Sequence, residues 1–237
     1  MKEQEQLAEI QLIRAILNKV EMNYCESQNE HKVIKDISMR LDIMEKELLS
    51  EAVEVKANDI KVVDLGLPSG TLWTDRNVGA SSPENAGEYF RFGETSPFTK
   101  DSPEYVFFYK KEENVVGTDL DAATTILGKE YQTPTRLQLR ELLTECSHQR
   151  TQVNGVNGTM FTGPNGNSIF LPAAGYRIDG DCSLFHMDLN GYYWSASPYG
   201  NDRARYMIFA AINDRNIWEI HTVKQTVGFS IRAVKKQ

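Results

Sequence analysis

Cys146, Ser147 and His148 bring a thiol, a hydroxyl and an imidazole into three consecutive positions, the groups from which nucleophilic catalysis or metal ligation is built. Adjacent side chains seldom aim at one another, and no further ligand follows at metal spacing. The expectation is a cysteine at a helix end beside a surface histidine. The acidic loop Asp179-Gly180-Asp181 carries too few oxygens to cage calcium and reads as a turn. A phosphate-binding Walker loop, a dinucleotide glycine turn, a Gly-x-Ser-x-Gly elbow and a His-Glu-x-x-His motif are all missing from the sequence. The chain is therefore read as a non-enzyme, with no catalytic residue, no metal site and no cofactor expected.

The other side of that reading is what the chain can hold and build. Its 237 residues, 41% of them hydrophobic, suffice for one ordinary domain plus an extra element. A net charge of −7 argues against a nucleic-acid partner, whose usual mark is a positive excess. Cys25, Cys146 and Cys182 are odd in number and widely spaced, so no disulfide framework follows. No apolar run has the length of a membrane span, and the acidic start Met1-Lys2-Glu3-Gln4-Glu5 is unlike a secretory signal, so no membrane insertion is expected. The location expected is a virus particle or export by another route, and the cytoplasm otherwise.

Residues 1–65 contain neither glycine nor proline, which predicts helix. Ile10, Ile13, Leu17, Val20 and Tyr24 recur at steps of three and four, and so do Ile34, Ile37, Leu41, Met44 and Leu48. The two runs are out of phase across Ser27 to His31, where the chain either continues with a stammer or turns. The absence of Gly and Pro favours one continuous helix, a rod of about 75 Å. Residues 1–58 are thus read as a coiled-coil stalk that gathers a homo-oligomer; Ile and Leu at both seam positions lean toward a trimer.

Residues 59–237 have a different grammar, with short apolar runs between Gly, Asn, Ser and Pro. Strands are predicted at 61–65, 71–73, 88–92, 168–171, 192–195, 205–210 and 228–234. A single helix is predicted over Thr135 to Cys146, opened by Pro134 and capped by Thr133 or Thr135. The whole chain is expected to be α+β.

Several phrases in this second region occur in order: Val63-Asp64-Leu65-Gly66-Leu67-Pro68-Ser69-Gly70-Thr71-Leu72-Trp73, Asn77-Val78-Gly79-Ala80, Gly87-Glu88-Tyr89-Phe90, Asn165-Gly166-Asn167-Ser168-Ile169-Phe170-Leu171-Pro172-Ala173-Ala174-Gly175-Tyr176-Arg177, Gly191-Tyr192-Tyr193-Trp194-Ser195-Ala196-Ser197 and Gly228-Phe229-Ser230-Ile231-Arg232. Together they resemble the Fibrobacter major paralogous domain, a family common in gut Bacteroidetes. The chain departs from it at Tyr131-Gln132-Thr133, where the family usually has Trp-Arg-Met, and at Phe92, where it usually has Trp. The resemblance implies a C-type-lectin-like fold, related to the formylglycine-generating group. Cys146 and Cys182 do not fall in that group's cysteine motif, and the calcium-binding motifs of C-type lectins (Glu-Pro-Asn or Gln-Pro-Asp with Trp-Asn-Asp) do not occur.

Proteins ending in this domain include the variable proteins of diversity-generating retroelements, and residues 192–234 are similar to their diversified segment. Interspersed among a frame of Tyr193, Trp194, Ser195, Ala204, Met207, Phe209 and Gly228 to Arg232 are Tyr199, Asn201, Asp202, Arg203, Arg205, Tyr206, Ile208, Asn213, Asp214, Arg215, Asn216, Trp218, Glu219, His221, Thr222, Lys224 and Thr226. Their mixture of aromatic, charged and amide groups suits a binding surface. Residues 199–237 hold seven Lys or Arg against three Asp or Glu, a local basic excess on an acidic chain. The function expected is binding without turnover of a protein or glycan on a cell surface, by an oligomer carried on a phage virion or fibre. The competing reading is a structural virion or cell-surface protein whose helices drive assembly and whose lectin-like domain is decoration.

Overall fold

The computed structural model describes residues 2–24, 30–44, 60–106, 114–178, 182–212 and 215–235. The chain divides into two compact units, Met1–Asn58 and Asp59–Gln237.

In the first unit, α1 (Lys2–Tyr24) is followed by a second helical run, α2, over 30–44. Arg14 Nη1 lies 2.6 Å from Asp42 Oδ1. In one straight helix those residues would stand about 42 Å apart. The helices therefore lie side by side, and the continuous rod expected from the missing Gly and Pro is corrected. Residues 25–29, across which the seam changes phase, are outside the described residues, as is Leu48. Ile10, Ile34 and Leu41 are buried and Leu17 is half-buried, one residue in seven on each helix. The intervening seam residues Ile13, Val20, Ile37 and Met44 are exposed, together with Leu12, Ile16, Val33 and Ile43. Pairing the helices uses one apolar stripe and leaves another open.

The second unit is mixed α and β. Its first sheet is ordered β1 (Val62–Asp64), β2 (Leu72–Thr74), β12 (Val234–Lys235), β3 (Tyr131–Gln132), so the last strand pairs with one from the start of this unit. After α3 (Ala122–Leu127) comes α4 (Arg136–Glu145), whose N-terminus carries a full capping box: the Thr135 hydroxyl accepts from Gln138 N–H, and the Gln138 side chain accepts from Thr135 N–H. A second sheet stacks β4 (Ser147–Val153), β5 (Val156–Thr162) and β6 (Ser168–Pro172) in order. The turn between β4 and β5 is Asn154-Gly155, both at positive φ, as a two-residue hairpin requires. β7 (Tyr176–Arg177) and β8 (Leu184–Phe185) form a short ribbon. The third sheet is an antiparallel meander of β9 (Gly191–Tyr199), β10 (Arg203–Ile212) and β11 (Arg215–Lys224).

Leu65, Trp73, Leu139, Leu142, Phe161, Leu171, Tyr193, Met207, Phe209 and Val234 form one core reached by all three sheets and by α4. Gly191 is required there: a Cβ on it would meet the Phe209 ring. Two predicted strands take another form. Residues 88–92 hold only the bridge Phe90 to Phe229, and 228–234 runs irregularly until β12, because its backbone groups bond in turn to Arg177, Phe90, Trp194, Val78 and Thr74. No single neighbour accompanies it long enough to make a ladder.

Arg232, fully buried, sits at the centre of this arrangement. Its Nε donates to Asn77 Oδ1 (2.9 Å), Nη1 to the carbonyls of Thr74 (3.2 Å) and Asp75 (2.8 Å), and Nη2 to that of Phe170 (2.8 Å). Desolvation draws its pKa below the ordinary arginine range, and these oxygens compensate the buried charge. Arg232→Lys keeps the charge but cannot span the same acceptors. It is expected to destabilise the second unit by about 3 kcal/mol, read as a lowered urea midpoint with unchanged slope.

Candidate ligand-binding surface

The described residues between 199 and 224 belong to the β9–β11 meander and its first turn, and strand alternation sorts them. The register pairs Arg203 with Lys224, Arg205 with Thr222, Met207 with Ile220 and Phe209 with Trp218. Met207 and Phe209 are core residues with Ile220 and Trp218 packed against them, so this is the inner face. Tyr206 pairs with His221 and Ile208 with Glu219 on the outer face.

On the outer face, His186, just after β8, is followed by Tyr192, Tyr206 and His221 on β9, β10 and β11, with ring centroids 6.2, 6.0 and 6.2 Å apart. Tyr176 and Phe229 pack beneath, at 4.9 Å and 5.4 Å from Tyr192. Two polar groups flank the row. His186 Nδ1 is 2.9 Å from the Tyr192 hydroxyl, and exposed His221 Nε2 is 2.7 Å from Glu219 Oε2. Burial raises the pKa of the Tyr192 and Tyr206 phenols, which keeps them neutral donors. Beside the row, Phe185, Met187 and Leu189 expose 40%, 53% and 62% of their surface, an apolar rim.

At the other end of the hairpin the inner face runs beyond the core, and its side chains reach solvent. Tyr199 is exposed and carries the Arg205 guanidinium over its ring at 4.6 Å. Arg203 is half-buried and committed to Thr222, through Nη2 to the carbonyl at 2.6 Å and Nε to Oγ1 at 3.3 Å. Asn201 and Asp202 are exposed in the β9–β10 turn. Asp202, Lys224 and Thr226 line a cleft of about 430 Å³, completed by the loop 98–105 and Arg91. Arg91 is held by both oxygens of Glu94 at 2.7 Å and lies over the rings of Phe98 and Tyr105, bracing that loop.

The predicted residues thus do not form one surface. Tyr206, Glu219 and His221 share the outer face; Tyr199, Asn201, Asp202, Arg205, Lys224 and Thr226 gather at the hairpin's end; Arg215 and Asn216 are exposed at the opposite end. Ile208 is 8% exposed, and Trp218 is a core-side residue, its Nε1 3.4 Å from Thr159 Oγ1 and its ring 4.4 Å from that of His148. Strand parity and neighbouring bulk, invisible in a list of residue types, separate these two from the rest. Asn213 and Asp214 lie outside the described residues. Sequence reasoning missed Tyr176, His186 and Tyr192 on the outer face and Thr99, Lys100, Ser102 and Glu104 in the cleft. The apolar run Leu184-Phe185 with Met187 and Leu189, in an otherwise polar loop, was the available signal for the first group.

The groups first considered for chemistry lie elsewhere. Cys146 is buried, and burial beside Glu141 and Glu145 pushes its thiol up to about 11, the reverse of nucleophile activation. His148 Nδ1 meets the Cys146 carbonyl at 3.2 Å. Cys182 is also buried, its thiol donating to the Phe98 carbonyl. Among the described residues, no three metal-capable side chains converge, and no helix is long and apolar enough to cross a membrane. Asp179, Asp181 and Cys25 are outside the described residues. Comparisons with protein-family models, with curated proteins and with solved structures find no match to the chain.

The two classes of position differ in what they cost to change. Trp218→Ala is expected to destabilise the second unit by about 3 kcal/mol, while Glu219→Ala with His221→Ala shifts it by about 0.5 kcal/mol or less; thermal melts of the three proteins check this.

Proposed function

We propose that this chain is a non-enzymatic binding protein that holds a ligand on a cell surface through the solvent-facing side chains of the β9–β11 meander, in a C-type-lectin-like domain of the retroelement-diversified kind. The observation that carries the reading is the alternation along β10 and β11. Along β11, Trp218 and Ile220 pack on the core residues Phe209 and Met207, while Glu219 and His221 are exposed on the opposite face and Lys224 is exposed beyond the core. Side chains of the second kind can change without unmaking the core, the property a diversified surface needs. The helical unit gathers the domains into a homo-oligomer, a trimer on a phage virion or fibre, and weak single sites become effective through avidity.

The open stripe of Leu12, Ile13, Ile16, Val20 and Ile37 favours the second reading, in which assembly is the chief role and the C-terminal domain is decoration. The two readings share the oligomer, so light scattering on the full-length chain is expected to give the mass of a trimer, and a monomer would sink that element of both.

Cell binding separates them. The labelled full-length chain is expected to bind cells of its target, and a Tyr206→Ala, Glu219→Ala, His221→Ala protein to lose that binding while still melting cooperatively from a folded state. Deep sequencing of the coding region across a source population should find substitutions at adenine-containing codons for exposed positions between Tyr199 and Thr226, with Met207, Phe209 and Gly228 fixed. Undiminished binding by the triple variant, with codons as invariant as those for residues 61–95, would leave assembly as the function.

A further inference from the structure

We infer that the anchor of the ligand surface is an anion site, in which the Arg205 guanidinium, stacked on Tyr199 and joined by Lys224, takes the carboxylate of an acidic saccharide whose hydroxyls occupy the adjoining cleft. This rests on the binding function proposed above and names its ligand class.

Arg205 differs from the arginines around it. Arg203 is engaged by Thr222, Arg91 by Glu94 and Arg232 by four oxygens, whereas the Arg205 side chain has no hydrogen-bond partner among the described residues. It is still not left to wander. Its Cζ lies 4.6 Å from the centre of the Tyr199 ring, and Arg205 is half-buried, so stacking fixes the plane of the group and leaves its N–H fork available. A guanidinium held flat with unused donors is pre-organised for two-pronged contact with a carboxylate.

Lys224 supplies the second charge. It faces Arg203 across the hairpin, one diagonal step from Arg205 on the same face, and its ammonium makes no ion pair among the described residues. Diagonal neighbours of this kind come within reach of long side chains. The same Lys224 lines the cleft of about 430 Å³, which is of small-ligand size.

The cleft lining decides between kinds of anion. Thr99, Ser102 and Thr226 present hydroxyls, Lys100 an ammonium, and Asp202 and Glu104 carboxylates. Carboxylates accept hydrogen bonds from sugar hydroxyls, and they repel a peptide that carries negative charge along its length. One carboxylate on a polyhydroxylated ring satisfies both halves of the site.

The test is ligand-observed NMR titration of the full-length chain with three probes: disaccharides ending in glucuronate, galacturonate or N-acetylneuraminate. At least one is expected to bind saturably. Arg205→Lys, Tyr199→Ala and reduction of that probe's carboxylate to an alcohol should each weaken binding by about tenfold or more, the worth of one charge-assisted contact. Hexaglutamate should not compete. Absence of saturable binding by all three, equal binding of the reduced sugar, indifference to Arg205→Lys in a protein with an unchanged melt, or tighter binding of hexaglutamate would each overturn the proposal. Its failure is distinct from failure of the broader function: if Arg205→Lys leaves cell binding intact while the Tyr206, Glu219, His221 variant abolishes it, the anion site falls and the binding function stands.

Discussion

A guanidinium with no access to water must have its N–H groups met by oxygens of the fold, and the second unit is arranged around meeting that demand at Arg232. The acceptors come from the end of β2, from the following turn at Asp75 and Asn77, and from β6. Elements far apart in the chain are thereby fixed to its last residues. Asn77 extends the arrangement, since its amide also donates to the Ala86 carbonyl at 2.8 Å. Much of this backbone is loop, and loops supply carbonyls that a regular ladder would have consumed; the irregular segments and the buried charge satisfy one another.

That centre has a consequence for the C-terminal meander. Tyr193 and Trp194, next to the segment carrying Arg232, send their polar atoms to the carbonyls of Pro172 and Phe90 at 2.6 and 2.7 Å. β9 is therefore tied to the rest of the unit through both of its faces, and β10 is held to β9 and by its own core residues. β11, the outer strand of the three, keeps only Trp218 and Ile220 against the core. Of its other positions, Thr222 accepts from the Arg203 guanidinium, whereas Glu219, His221 and Lys224 are exposed. The row of rings from His186 to His221 crosses β9, β10 and β11, while the stacked pair Arg205 and Tyr199 joins β10 to β9.

The helical unit solves a separate problem. A helix of this length with a narrow apolar stripe is marginal alone, and pairing α1 with α2 covers one residue in seven on each. The exposed Ile, Leu and Val that remain are more than a solvated hairpin needs. The proposed oligomer would cover them and multiply the C-terminal sites in the same step.

How much of this could be read from the chain alone varies by element. Helix formation over the first region, the capping box at Thr135 and the strands around residues 62–64, 72–74 and 168–172 are written in local signals: absent glycine, a Thr three residues before Gln, apolar runs between turn residues. The strand pair β4–β5 carries the Asn154-Gly155 signal but few apolar residues, and β11 mixes polar and apolar without clean alternation, so both escaped a reading by hydrophobicity. The heptad spacing of the helices determined that an apolar stripe must be buried, and it could not say against what: the same spacing serves a rod or a side-by-side pair, and only the approach of Arg14 to Asp42 decides. Likewise, residue types between 199 and 226 determined a composition fit for binding. Which of them face water depends on strand parity, on the bulk beneath Ile208 and Trp218, and on loops from residues 98–105 and 184–189 that arrive from elsewhere in the chain. Those are long-range relations, and only the tertiary structure sets them.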